Sequence, residues 1–254
     1  MPNHVVFPPH TRLPVVAWSG LLPKGADVAP RSAWAMVLFC FDGLMRVEVG
    51  EDRWFIPDRF GIWLPAGTMP VVEAATQIEF QAFQLQAKFD DTTAMPTAPT
   101  VLRATPLMRG IARRMTQSPS VPQAQLRRLG WVALDEIARL ERPDLHLPGS
   151  SDPRVAAVMT RVMESPRLSA SLSLLARATG TSERTLSRLF LHETGMTWRE
   201  WRDRMRFVLA LEGLQQGQSS TALADALGYS GPSAFVAAFR RQSGMTPTQW
   251  RHQR

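Results

Sequence analysis

Leu175-Ala176-Arg177-Ala178-Thr179-Gly180 and Leu223-Ala224-Asp225-Ala226-Leu227-Gly228 are one phrase written twice, 48 residues apart. The echo continues downstream. Phe190 and Gly195-Met196-Thr197 return as Phe239 and Gly244-Met245-Thr246, and Trp201 returns as Trp250, at an offset grown to 49 by one insertion. A period in this range marks a duplicated supersecondary unit. Each copy reads as two helices joined by a tight turn. Ala176 and Ala224 are small where helices must cross closely, and Gly180 and Gly228 supply the left-handed residue of a sharp turn. Ser182 and Ser230 are placed to cap the second helix of each pair. Leu186, Leu189 and Phe190 in the first copy, and Phe235 and Phe239 in the second, recur on the inward face.

Between the copies, Thr197-Trp198-Arg199-Glu200 has the T-x-x-E form of a capping box and predicts a helix running to about Gln216. Such a rod is roughly 30 Å long at about 1.5 Å per residue. It would hold the two second helices about one turn of DNA apart, roughly 34 Å. Trp198, Trp201, Met205, Val208 and Leu209 are expected to bury one side of it, with Arg199, Arg202, Arg204 and Arg206 on other faces. The outward face of the first copy shows Arg184, Thr185, Ser187 and Arg188, side chains that reach base edges and phosphates in a major groove. The plainer alternative is a solvated polar face. Charge favours DNA: residues 152–254 hold 14 arginines, no lysine and eight acidic residues, leaving +6 of the chain's net +7 on that stretch.

Upstream the chain changes character. Residues 30–87 read as short strands, with Ala35–Asp42, Leu44–Val49, Arg53–Ile56, Gly61–Leu64, Pro70–Glu73 and Ile78–Gln86 punctuated by a Gly50-Glu51-Asp52 turn. That spacing indicates a small barrel or sandwich. Asp90–Pro99 reads as a linker. From 105 to 142 the period is helical: Leu107, Ile111, Arg114 and Met115 fall in one short helix. Leu126, Leu129, Ala133, Ile137 and Leu140 then make one apolar stripe, either a homodimer seam (residues 121–142) or a face packed on the barrel. Pro143–Asp152 breaks regularity and is the expected boundary between residues 1–150 and 151–254. Asp152 and Pro153 open a helix carrying Val155, Val158, Met159 and Val162.

Composition removes several function classes. The 254 residues, 44% hydrophobic and 20% charged, suit one or two globular domains. No apolar run is long enough for a membrane span, and Met1–His10 lacks a secretory pattern, so the expected location is the cytoplasm. A lone Cys40 excludes an intrachain disulfide and a cysteine zinc cage. None of the five histidines (His4, His10, His146, His192, His252) falls between residues 11 and 145. No metal and no cofactor are expected, and no nucleophile, Walker or dinucleotide pattern is present. Glu48, Glu51, Asp52 and Asp58 read as solvated edges.

The C-terminal hundred residues resemble the DNA-binding domain of AraC/XylS-family transcription regulators. The resemblance is carried by Gly228-Tyr229-Ser230, Ser233-Ala234-Phe235, Phe239-Arg240-Arg241 and Gly244-Met245-Thr246-Pro247. It implies base readers at Arg184, Thr185, Ser187 and Arg188, with Ser182 beside them. In the second copy it implies Gly231, Ser233, Val236 and Ala237, with Arg240 and Arg241 nearer the DNA backbone. Val236 and Ala237 depart from the polar residues common there, which shifts specificity to the first copy. Gly61-Ile62-Trp63-Leu64-Pro65-Ala66-Gly67 is similar to a turn of the cupin-like sensor barrel that precedes this module in many family members. The whole is therefore expected to be α+β: a cupin-like β-barrel with flanking helices, then an all-α domain with two helix-turn-helix motifs joined by a long helix. The implied function is sequence-specific transcription regulation, not catalysis, under a small organic effector. Arg31, Trp34, Met36, Arg46, Trp54 and Trp63 are its candidate contacts. Double-stranded DNA, the effector, RNA polymerase and a second copy are the candidate partners. Two rivals stand beside this: a constitutive regulator whose barrel only dimerises, and a metal-free barrel enzyme fused to a DNA-binding module.

Overall fold

A computed structural model describes residues 13–29, 33–85, 95–116, 121–167 and 171–252. The chain divides into two compact units: Met1–Gly50 with Trp54–His146, and Glu51–Arg53 with Leu147–Arg254.

The first unit is built on strands β1 (Val15–Leu22), β2 (Asp27–Val28), β3 (Met36–Phe41), β4 (Leu44–Val49), β5 (Asp52–Pro57), β6 (Phe60–Leu64), β7 (Val71–Ala74), β8 (Ile78–Leu85), β9 (Thr100–Arg103) and β10 (His146–Leu147). They form two five-stranded sheets, ordered β1-β8-β3-β6-β9 and β10-β5-β4-β7-β2. Every residue of β3 is buried, and one of its faces lies under helices. The alternation is regular. Val37, Phe39, Phe41, Trp63 and Phe83 point to helices α1 (Pro106–Thr116) and α2 (Gln123–Arg139), in one core with Met108, Ile111 and Ile137. Met36, opposite Leu64 and Gln84 in the ladder, points the other way. Cys40 is fully buried in the core, and burial with Asp58 nearby pushes its thiol well above the ordinary range.

The strands differ from expectation at both ends. β1, the longest with β8, pairs along its whole length with β8, yet the sequence shows no strict alternation there. Short β9 follows the proline-rich stretch read as a linker. In α2 the apolar stripe faces this chain's own core: Ala133, Ile137 and Leu140 are buried, and Leu126 and Leu129 pack against them. The stripe is therefore already covered, and the apolar residues α2 leaves outside are Trp131 and Val132.

The second unit contains helices α3 (Pro153–Glu164), α4 (Leu172–Ala178), α5 (Glu183–Thr194), α6 (Trp198–Gln215), α7 (Ser220–Ala226), α8 (Pro232–Ser243) and α9 (Pro247–His252). Asp152 caps α3 by accepting from the Arg154 and Val155 amides. The Arg154 side chain, then these amides, hold its carboxyl down at about 2, below the ordinary 3.8 of an aspartate. A depressed folded pKa stabilises above the unfolded value. This cap is therefore present above pH 3.8 and lost as pH falls towards 2. Protection of the Arg154 and Val155 amides, measured against the intrinsic exchange rate at each pH, should fall through that window in the native chain, and already be low at neutral pH in Asp152→Ala.

Candidate nucleic-acid interface

The repeat seen in the sequence is a repeat of geometry. Gly180 and Gly228 both turn left-handed, at φ +67° and +72°, between α4 and α5 and between α7 and α8. Gly195 and Gly244 end α5 and α8 in the same conformation. Thr194 and Ser243 donate their hydroxyls to the Phe190 and Phe239 carbonyls and brace the following loop. Thr197 with Glu200 forms a capping box on α6, and Thr246 with Gln249 repeats it on α9. Inside, Phe190 meets Trp201 at 5.8 Å and Phe239 meets Trp250 at 6.0 Å, both edge to face.

The connecting helix spans Trp198–Gln215, about 27 Å at about 1.5 Å per residue. It serves both copies: Trp198 and Trp201 pack on Phe190, while Phe207 packs on Phe239 at 5.2 Å. With two neighbours it has two buried sides, so Arg206, expected among the exposed arginines, is instead buried at 7% exposure. Ser182 caps α5, its oxygen accepting from the Thr185 amide at 3.1 Å. Ser230 does not cap α8. The insertion falls in this turn, and Gly231 is the cap residue, with no side-chain bond and Pro232 following.

The first copy's outward face is formed as expected. Arg184, Ser187 and Arg188 are exposed on α5, and Thr185 is half-buried with its hydroxyl 2.9 Å from that of Ser182. On α8, Ser233 and Ala237 are exposed and Val236 half-buried; with Arg240, Arg241, Pro232 and Thr246 they line an open hollow. Among the described residues, Arg184, Arg188, Arg240 and Arg241 are exposed and make no ion pair or hydrogen bond within the chain. Arg154, Arg167, Arg202 and Arg251 are committed to Asp152, Asp225, Asp203 and the Gln218 carbonyl. Arg161, Arg177 and Arg199 are exposed and unpaired as well among the described residues, so what marks Arg184, Arg188, Arg240 and Arg241 is their place on the outward faces of α5 and α8.

Two of the effector candidates, Trp63 and Met36, lie on opposite faces of one sheet. Arg31 lies outside the described residues. Trp63 faces the helices, its Nε1 donating to the Pro96 carbonyl at 2.8 Å, whereas Met36 lies on the opposite face of the same sheet. Arg46 is paired with Glu73 across β4 and β7, Trp54 stacks on His146 at 4.8 Å, and Trp34 is half-buried.

Two helix-turn-helices on one rod, with unpaired arginines on their outward faces, define a DNA-binding module. The Helix-turn-helix domain family matches residues 175–253. Over 218 residues the chain is 30% identical to the HTH-type transcriptional regulator NimR of Escherichia coli K12, covering 84% of this chain and 78% of that protein. It is 28% identical to an AraC-like transcription regulator of Streptomyces antibioticus, covering 89% and 72%. The DNA-binding domain of AdpA, solved with a target DNA, is 30% identical across 41% of this chain and 93% of that one, with a TM-score of 0.38. The chain belongs to the AraC family of DNA-binding transcription regulators. No helix among the described residues is long and apolar enough to cross a membrane.

Proposed function

We propose that the chain reads two unlike DNA half-sites and answers to a small organic effector held by its N-terminal β unit. The observation that carries the first part is the contrast between the outward faces of α5 and α8. At the 49-residue offset, Arg184, Ser187 and Arg188 become Ser233, Val236 and Ala237. Arg184 and Arg188 stand four apart, on one helix face, and each guanidinium can donate two parallel bonds to guanine O6 and N7. Thr185 and Ser187 add shorter donors, and the Ser182 hydroxyl is occupied mainly as a cap. On α8, Val236 and Ala237 suit a thymine methyl, Arg240 and Arg241 one turn later suit backbone phosphates, and the uncapped amides beyond Gly231 suit a phosphate too.

The effector reading rests on the inward face of the first sheet, where Met36, Leu38, Ile62 and Leu64 are apolar and the buried Gln84 offers an amide. On this reading the protein is a regulator without enzymatic activity, working in the cytoplasm, with RNA polymerase as a downstream partner. A dimer through residues 121–142 would use Trp131 and Val132, since the stripe beneath is already covered.

The test is fluorescence anisotropy of the full chain on its own upstream intergenic DNA and on random duplex, across a salt series. The intergenic duplex should stay bound at salt that releases the random one. Arg240→Ala should weaken both duplexes alike and flatten the salt slope by about one unit, the signature of a lost phosphate contact. A loss confined to the intergenic duplex would make Arg240 a base reader instead. A compound that raises the melting temperature of the full chain and shifts the anisotropy curve supports the effector. A screen with no thermal shift, beside a dimer that survives dilution, favours the constitutive rival.

A further inference from the structure

The two turn glycines share a conformation but not a setting. A side chain at Gly180 would meet nothing within 4 Å. At Gly228 it would meet the Arg206 guanidinium at 3.2 Å and the Arg167 Cα at 3.3 Å. The second turn is walled in from two directions, while the first is open.

Both walls bond to what they touch. Arg206, from the connecting helix, donates Nη2 to the Gly228 carbonyl at 3.4 Å and lays its guanidinium over the Tyr229 ring at 5.1 Å. Arg167, from the segment between α3 and α4, donates Nε to the Asp225 carbonyl at 2.7 Å and pairs through Nη2 with the Asp225 carboxylate. The carbonyls of Asp225 and Gly228 belong to the last turn of α7 and the residue group just beyond it, where a helix presents its negative end and a guanidinium is favoured. Tyr229 in turn packs on Phe235 of α8, at 5.7 Å. The turn that aims α8 is therefore held from the helix joining the two copies and from the segment leading into the first.

We infer that Arg206 and Arg167 are positioning residues: they brace the second helix-turn-helix against the connecting helix and the segment leading into the first, and so fix one spacing between the two DNA half-sites. The inference rests on the reading that both copies contact DNA. Phe207 of α6 already packs on Phe239 of α8, and the bonds at the turn add a second point of attachment at the other end of the motif. Two arginines from different segments, bonded at one turn, restrict the freedom of the motif to pivot. The Arg167–Asp225 pair is exposed, so it adds little to stability. Its effect is expected in register.

Selection of bound duplexes from a random-sequence library, followed by sequencing, reads the spacing directly. The full chain should return two half-sites at a single separation. Asp225→Asn and Arg206→Lys should each return the same two half-sites spread over neighbouring separations, and bind the wild-type duplex about tenfold more weakly, a factor of ten in Kd. The sign is informative for Asp225→Asn. Removing an acid from a DNA-binding unit should strengthen binding through charge alone, so weakening on the selected duplex points to lost register. Arg167→Lys, which keeps the charge but cannot bond the Asp225 carbonyl and carboxylate together, should broaden the separation as Asp225→Asn does. Unchanged melting curves for Asp225→Asn exclude misfolding. A variant pool that keeps the single separation overturns the brace alone. A wild-type pool with one half-site, together with an Arg240→Ala variant that binds normally, overturns the two-reader reading and the brace with it.

Discussion

Phe190→Ala should be the most damaging single change in the DNA-binding unit, costing about 3–5 kcal/mol as a large aromatic is deleted from a closed core. Phe190 is fully buried and offers its ring edge to Trp198 at 5.1 Å and to Trp201 at 5.8 Å. Those indoles are themselves fixed, Trp201 by a buried bond from its Nε1 to the Pro148 carbonyl at 2.8 Å and Trp198 by stacking on Trp201. Neither can move into the space the phenyl leaves, so the cavity term is expected in full. Natural domains have only about 5–15 kcal/mol to lose. The variant should therefore melt at a much lower denaturant concentration, seen in the fluorescence of Trp198 and Trp201, and lose DNA binding with its fold. Phe190→Leu should retain most of the stability, because it restores volume. A loss below about 1 kcal/mol for the alanine variant would mean that α5 and α6 collapse onto each other, and that the aromatic pairing is not what holds α5 in place.

The same aromatic repeat explains why this unit was legible from residues alone. Gly180 and Gly228, Phe190 and Phe239, and Thr197 and Thr246 each do one local job twice, and a local job needs only a few residues at fixed spacing. What escaped reading depends on neighbours. Arg206 looks like Arg199, Arg202 and Arg204 because a periodicity argument assigns a helix one buried side, and α6 has two. Ser230 looks like a cap because the one-residue insertion could not be placed to the residue; it falls before α8, and Gly231 takes the position. β1 lies before residue 30, outside the stretch that reads as strands, and carries Gly20 within it. In the sheet Gly20 sits opposite Phe80, whose ring lies 2.8 Å from where a side chain would begin, so the glycine marks a close approach. Residue type alone groups Trp63 with Met36 as pocket-lining side chains, but strand alternation sends them to opposite faces of the sheet.

Arg188→Ala should separate base reading from charge more cleanly than any other substitution in the interface. Arg188 is exposed on α5, two turns short of its C-terminal glycine, and makes no ion pair or hydrogen bond with the described chain. Removing it disturbs no contact of the fold, so melting should be unchanged, in contrast to Phe190→Ala. Loss of a bidentate base contact costs about 1–3 kcal/mol, which is roughly a 5- to 150-fold weaker Kd on the specific duplex. Random DNA has no matched guanine to lose and should bind the variant only slightly less well, through the missing charge. Ala237 occupies the matching place on α8, so the two copies offer an internal comparison. Ala237→Arg should raise affinity where a guanine faces that position and leave it unchanged or lowered elsewhere. Anisotropy on the specific and random duplexes, at one fixed salt concentration, measures both effects together. Equal losses on the two duplexes for Arg188→Ala would make it a phosphate contact and move the base reading to Arg184, its neighbour four residues earlier on the same face.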